Sequence, residues 1–392
     1  MNNVSIYYRL NYLQIDSERL QMKKLGNILL SVIIPIKVVE SNYFIVERLE
    51  RMLSFFERRS SVELVIVDST EKIEIRNRIK EIVKKERNTD FIFSENKEPY
   101  SAALARNVGV RNCSGEYVLF FDVDLLSDQN FFDNVLNDIN RLKNCSIYSF
   151  TIYPCLYLSK NFSKEVESKI NLSGYSSIGS ILSESLSSCL NGSKSKVLYP
   201  AINTSTILVN KEHFLSIGGY KEFFRGHGYE DFFLIHELSY YYPLAKKKKD
   251  YYRDYKTDYP GLYLGFRLYF SFYSMENLFK GLYTIHLYHE RDRKRNYYSK
   301  RDENSDVFQK ELGVFSNTIS TEDFIKYDDY RYFLKSILKK YGYENQQVRG
   351  LYREVKDNNV RTNIHSLYRK LRKLFTSPKK FFSDIRFEKY WK

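Results

Sequence analysis

GEYVLFFDVD, residues 115–124, is the stretch on which the fold of this chain turns. An apolar and aromatic run closes on two aspartates, Asp122 and Asp124, with one residue between them. Such a run is expected of a strand buried on both faces. Residues two apart on a strand point the same way, so both carboxylates should face one crevice at its end. Oxygen ligands of this kind suit Mg2+ or Mn2+, and an ion so held takes a diphosphate in turn. Strand-end solvation produces many acidic pairs of this spacing; a place in a repeating strand–helix pattern gives this one weight.

The pattern extends outward from it. LLSVIIPI (29–36), ELVIVDS (63–69) and FIFS (91–94) read as strands. Amphipathic stretches over 45–56, 73–86, 101–112 and 130–142 read as helices between and after them. This alternation predicts an α/β fold with right-handed crossovers, a mostly parallel sheet and flanking helices. Ligands bind such sheets beyond the carboxyl ends of the strands, so Asp68 should share the crevice with Asp122 and Asp124. Arg106, in the helical ALARNVGV (103–110), could set a guanidinium on a base or phosphate. Nine serines crowd residues 174–195, which reads as a mobile surface loop or, more sharply, a substrate lid. A strand over 206–210, a glycine-rich stretch over 218–228 and a helix from about Tyr229 follow. Beyond Thr321 the pattern turns helical, near 322–341, 345–357, 361–375 and 379–390.

Composition narrows the function. The chain has 392 residues and a net charge of +14, with 35 Tyr and 28 Phe but a single Trp. So many aromatics exclude intrinsic disorder, and the length excludes a small stapled scaffold. The four cysteines lack metal-ligand spacing and read as free thiols of a reducing cytosol. The most apolar long stretch, 262–288, is broken by Arg267, Glu276 and Lys280, so no membrane span is expected. With no secretory signal at its start, the chain reads as cytoplasmic.

Several motifs occur together in order. SVIIP (31–35), VIVDS (65–69), the ARNVG of 105–109, the DxD of Asp122 and Asp124, and GYED (228–231) resemble the family 2 glycosyltransferases of GT-A (Rossmann-like) fold. NTSTILVNKEHFLSIGGYKEFFRGHGYEDFFL (203–234) resembles the segment shared by β-1,4-galactosyltransferases and chondroitin-type polymerases. The resemblance implies a catalytic domain over 29–305, with a nucleotide-sugar half (29–150) and an acceptor half (196–305). An N-terminal extension (1–28) and a helical C-terminal region (306–392) flank it. It implies a UDP-sugar bordered by Pro35, Asp68, Arg106, Asp122 and Asp124, with Asp124 the direct ligand of Mn2+ or Mg2+. Asp231 matches the general base and Glu230 the holder of acceptor hydroxyls; Thr204, Ser205, His227, Gly228 and Tyr229 match the sugar and acceptor pocket. The chemistry is independent of the family, because a hydroxyl becomes a good nucleophile only as a carboxylate takes its proton. The motif departs from the family in RGHGYED, with Arg225 where tryptophan is usual and Tyr229 where glycine is common. His227 or Tyr229 would then supply the aromatic face.

HLYHERDRKRN (286–296) sets two imidazoles at a workable metal-binding spacing. By the resemblance, His289 is a metal ligand and His286 falls where the family has a softer one; Arg291, Arg293, Lys294 and Arg295 face the diphosphate, the acceptor or solvent. The last thirty residues, 363–392, hold nine Lys or Arg against two acids, interleaved with aromatic and aliphatic residues. At helical spacing these form an apolar stripe and a cationic face, as in a helix lying on an anionic membrane surface. Packing on its own domain is the rival reading, and no signature supports nucleic acid. Abundant Asn, Lys and Tyr suggest an AT-rich bacterial genome. The expectation is an inverting, metal-dependent glycosyltransferase at the inner membrane face, acting on a glycan or lipid-linked glycan in capsule or lipopolysaccharide synthesis. A chondroitin-type polymerase is one alternative, but it usually carries two catalytic domains. A sugar-nucleotide nucleotidyltransferase would need a glycine-rich loop after the first strand, where 36–41 has no glycine. A non-catalytic UDP-sugar-binding module is the third.

Overall fold

The computed structural model describes residues 28–55, 59–257, 259–290, 296–312, 326–327, 329–352 and 375. Four parallel strands form its centre: β1 (Leu30–Ile36), β2 (Val62–Asp68), β3 (Thr89–Phe93) and β4 (Tyr117–Phe120). They alternate with helices α1 (Phe44–Phe55), α2 (Ile73–Lys84) and α3 (Ala102–Arg111), as the sequence predicts. β1 and β2 are almost wholly buried because helices cover both faces. Val32, Ile34, Leu64 and Ile66 pack with Leu49, Leu53, Ile79 and Ile82 on one side; Ile33, Val65 and Val67 pack with Ala103, Ala105 and Val110 on the other. Each fully buried side chain of this size contributes about 1.5–3 kcal/mol. A Cβ at Gly109 would lie 2.5 Å from Ile33 Cγ2, so that glycine lets α3 rest directly on the sheet and fixes the height of Arg106 above it.

The chain then leaves the regular alternation. β5 (Leu125–Leu126), α4 (Phe131–Cys145), β6 (Phe150–Ile152) and β7 (Cys155–Leu158) follow, then α5 (Lys160–Ser173), α6 (Ile178–Asn191), β8 (Val197–Ala201) and β9 (Ile207–Asn210). β9 runs antiparallel to β4 and extends the first sheet, whose order is β3-β2-β1-β4-β9-β6. Short α7 (Lys211–Ser216) precedes the glycine-rich stretch and α8 (Glu230–Tyr241). A small hairpin of β10 (Asp254–Tyr255) and β11 (Leu264–Gly265), then α9 (Phe266–Phe270) and α10 (Met275–Phe279), lead to β12 (Thr284–His286). β12 completes a second sheet of order β5-β12-β7-β8. α11 (Asn296–Ser299), α12 (Arg301–Leu312) and α13 (Tyr330–Lys340) close the described part.

Three expectations need correction. β4 ends at Phe120, and Asp122 and Asp124 stand in a turn before β5 rather than along a strand. The serine-rich stretch is no loop: α6 buries Ile178, Ile181, Leu182, Cys189 and Leu190 against the second sheet. Two of its serines bond back to the preceding turn, Ser180 Oγ donating to the Ser177 carbonyl at 2.8 Å and Ser185 Oγ to the Ile181 carbonyl at 2.7 Å. The helix expected over 345–357 is, in its described part, turns and one 3-10 turn (Arg349–Leu351), where a Cβ on Gly350 would lie 2.2 Å from the Cys189 carbonyl. The tail 363–392 and residues 1–27 lie outside the described residues, but for Phe375. No helix among the described residues is long and apolar enough to cross a membrane. The four cysteines are free thiols, with Cys145 exposed and the others buried.

Candidate active site

The turn between β4 and β5 distributes its two aspartates to different neighbours. Asp124 lies beside the second sheet, its carbonyl accepting from the Leu287 amide at 3.0 Å. Its Oδ2 is 3.1 Å from His286 Nε2 and 3.4 Å from His289 Nε2. One ligand atom from each of the three lies within 4.8 Å of the others. Burial alone would raise the Asp124 carboxyl, but the two imidazoles outweigh it and hold it well below the usual carboxylate range. Adjacent ligand atoms around an ion with bonds of about 2.0–2.2 Å lie about 3 Å apart, so these three groups fit a divalent cation as they stand.

Asp122 faces the other way, toward α3 and the corner before β9. Ser205 Oγ donates to its Oδ2 at 2.9 Å, and Arg106 Nη2 lies 3.2 Å from its Oδ1. The same guanidinium reaches the start of α8: Nη1 is 2.9 Å from Asp231 Oδ1 and 3.7 Å from Glu230 Oε1. Arg106 is 4% exposed. Burial opposes its charge, but Asp231, Asp122 and Glu230 together hold it firmly protonated. Thus Arg106, expected on a base or phosphate, ties the Asp122 turn to the Glu230–Asp231 pair.

Burial raises both carboxyls of that pair. For Glu230 the neighbouring Asp231 charge adds to the effect, and its Oε2 is buried with no hydrogen-bond partner among the described residues. Asp231 is opposed by Arg106 and by Tyr220, whose hydroxyl donates to Oδ1 at 3.1 Å. Tyr220 escaped the sequence reading, although the GGY turn that carries it was in view. Asn107 positions it, its side-chain amide donating to the Tyr220 carbonyl at 2.8 Å and accepting the Tyr220 amide at 2.9 Å. The arginine and asparagine of the ARNVG stretch therefore grip the start of α8 and the Tyr220 turn while its glycine seats the helix.

The remaining expected residues divide. Asp68, at the end of β2, takes the Thr70 amide at 3.0 Å and hydroxyl at 2.5 Å on Oδ1, while Oδ2 is buried without a partner among the described residues. Burial raises its carboxyl. Pro35 sits one residue before the end of β1, opposite Val67. Thr204 turns its hydroxyl to the Tyr153 carbonyl at 2.7 Å. His227 lies against Tyr297 and Tyr298, with ring centroids 5.8 and 5.2 Å away. Gly228 has φ +95° and Tyr229 φ +78°, so a position where glycine is common carries a tyrosine in a left-handed conformation. Its ring is not brought to the crevice: it is 6% exposed, packs on Phe308 and donates its hydroxyl to Asp254 Oδ2 at 2.6 Å. Arg225 donates to the Pro99 carbonyl at 3.2 Å. Arg291, Arg293, Lys294 and Arg295 lie outside the described residues.

A sequence profile described as glycosyltransferase like family 2 matches residues 31–314. The chain belongs to this family. The mixed sheet with flanking helices agrees with the GT-A architecture that the sequence implies. A search of curated proteins finds no match. Among solved structures, the chain is similar to Staphylococcus aureus TarS 1–349 in complex with UDP at 16% identity, covering 54% of this chain and 55% of that one, with a TM-score of 0.33. It is also similar to the mannosyltransferase PcManGT from Pyrobaculum calidifontis in complex with GDP-Man and Mn2+, at 10% identity over 91% and 83% of the two chains, TM-score 0.39. A third is glucosyl-3-phosphoglycerate synthase from Mycobacterium tuberculosis in complex with Mn2+, UDP and glucosyl-3-phosphoglycerate, at 14% identity over 56% and 67%, TM-score 0.32. The family 2 chain described here thus spans about half the length of the TarS fragment.

Proposed function

We propose that this glycosyltransferase moves a sugar from a UDP-sugar to a hydroxyl of a glycan or lipid-linked glycan, inverting the anomeric centre, in bacterial surface polysaccharide assembly at the inner membrane face. The observation that carries the reading is the single guanidinium of Arg106, which joins Asp122 to Glu230 and Asp231. It sets a donor-facing turn and an acceptor-facing helix start on one crevice. The buried, unpartnered Asp68 Oδ2 and Glu230 Oε2 support it, since such atoms normally find a partner. Asp124, His286 and His289 would hold a divalent cation, and two imidazoles among three donors favour Mn2+ over Mg2+, which keeps to oxygen. When bound, the ion would supply positive charge against the departing diphosphate.

The chain's own groups account for the rest. Asp231 Oδ1 is anchored by Arg106 and Tyr220, so Oδ2 is the oxygen that accepts the acceptor's proton. As that proton leaves, the acceptor oxygen bonds to the anomeric carbon, the bond to the diphosphate breaks on the opposite side, and the configuration inverts. Burial raises the Asp231 carboxyl, and Arg106 is the largest influence opposing that rise. Glu230, buried beside it, orients acceptor hydroxyls. The basic tail 363–392 would bring the enzyme to an anionic surface where a lipid-linked acceptor lies. A panel of UDP-sugars with purified protein and Mn2+ tests the reading. One donor should be turned over, and Asp231→Asn should cost about 10²–10⁴-fold in rate while UDP still binds. Turnover of no donor, together with unaltered UDP affinity in Asp124→Ala, refutes it.

A further inference from the structure

Three aromatic rings lie side by side across the second sheet and end at the proposed ion site. His286 on β12 is in register with Tyr157 on β7, and Tyr157 with Tyr199 on β8. The imidazole of His286 stacks on Tyr157 with centroids 4.3 Å apart and planes 18° apart. Tyr157 stacks on Tyr199 at 4.7 Å and 16°. The Lys256 ammonium caps the far end, 4.8 Å from the Tyr199 centroid.

A metal-binding histidine ordinarily has its second ring nitrogen held by a carboxylate or carbonyl, which fixes the plane of the ring. His286 directs Nε2 at Asp124, and no group among the described residues hydrogen-bonds its Nδ1. Two rings lie against it instead, Tyr157 stacked at 4.3 Å and His289 tilted at 5.3 Å, and Tyr157 is the nearer and the more nearly parallel. His289 is held differently: it stacks on Phe44 at 5.6 Å, and its Nδ1 lies 3.3 Å from the Glu290 carbonyl. The Tyr157 hydroxyl makes no hydrogen bond among the described residues, so the ring itself is the working part.

We propose that Tyr157 is a positioning residue of the ion site: through the cross-strand stack it holds His286 in the rotamer that points Nε2 at Asp124. This rests on the reading of Asp124, His286 and His289 as a cation site. A ring held in this way contributes its nitrogen to the ion without having to be ordered on binding, and it sharpens the preference for an ion that accepts imidazole. Loosened, the site keeps Asp124 and His289 but loses one of its two imidazoles, and with it part of its preference for Mn2+.

The test needs no donor or acceptor. Mn2+ binding to the full chain is followed by loss of the free-ion paramagnetic resonance signal, with Mg2+ as competitor. Tyr157→Phe keeps the ring and should bind Mn2+ within about twofold of wild type. Tyr157→Leu should weaken Mn2+ by about tenfold or more, as loss of an outer partner of a metal ligand does, and shrink the Mn2+ over Mg2+ preference equally. Wild-type Mn2+ affinity in Tyr157→Leu overturns the proposal. Should that variant fail to fold, Tyr199→Leu, which strips the ring behind Tyr157, should weaken Mn2+ by about threefold; unchanged affinity there overturns it likewise. A wild-type chain that binds no Mn2+ overturns the cation reading itself, an outcome separate from one in which wild type and Tyr157→Leu bind equally.

Discussion

Replacing Tyr220 by phenylalanine removes one hydroxyl and leaves the ring that packs on Phe120 at 5.0 Å and lies 5.2 Å from the Arg106 guanidinium carbon. The lost contact is the 3.1 Å hydrogen bond to Asp231 Oδ1. Hydrogen bonds to charged groups are worth about 1.5–3 kcal/mol, and one pKa unit corresponds to about 1.36 kcal/mol. Arg106 still serves the same oxygen, so the lower end applies and the expected change is about one unit. The sign follows from the causes: burial raises Asp231 and the hydroxyl lowers it, so Tyr220→Phe raises it further. A base must be ionised to act. The acid limb of log kcat/KM against pH should therefore move about one unit toward alkali, with a loss of about tenfold below the limb and little on the plateau. Initial rates for both proteins at fixed Mn2+, taken as a ratio at each pH, isolate this effect from groups the two share. An unmoved limb, or a uniform loss at every pH, would refute the assignment of Asp231 as the base held by Tyr220.

Two further predictions concern stability and location. His213 is 2% exposed, neither ring nitrogen has a hydrogen-bond partner among the described residues, and burial pushes its pKa down to about 4. Folding therefore resists its protonation: stability is full above the unfolded value of about 6.5 and falls as the pH drops toward 4, by about 1.4 kcal/mol per unit. His213→Phe should flatten the fall of the urea midpoint between pH 7 and 4.5, leaving the share of His236, pushed down to about 3; an unchanged slope would contradict it. Deleting residues 363–392 should abolish binding to phosphatidylserine-containing vesicles while activity on a soluble acceptor survives. Vesicle binding retained by the truncated protein defeats the membrane role of the tail.

The parallel core was legible because strands covered by helices on both faces must be continuously apolar, as 29–36 and 63–69 are. The positions of Asp124, His286 and His289 were legible from the resemblance, but what joins them was not. β12 enters between β5 and β7, and no local pattern announces pairing between residues 125–126 and 285–286. The serine-rich helix was misread because serine is a poor helix former in isolation. Its Ile178, Ile181, Leu182, Ser185 and Cys189 nonetheless keep helical spacing, and tertiary burial outweighs propensity. Helix α5 had a readable signal in the Ser159 cap and in Phe162, Val166 and Ile170 at four-residue spacing. The common direction expected for Asp122 and Asp124 failed for a geometric reason: it holds along a strand, and the strand had already ended at Phe120.

Phe120 ends β4 of the first sheet and Leu125 opens β5 of the second, so the DxD is the seam between two slabs. Asp122 is fastened to the furniture of one, Arg106 and Ser205, and Asp124 to that of the other, His286 and His289. The pair is a caliper: a rotation of one sheet against the other would change the gap between the two carboxylates. The number of residues between Phe120 and Leu125 is accordingly more constrained than the identity of Val123. A one-residue insertion there would leave both sheets folded and both aspartates present, yet misaligned.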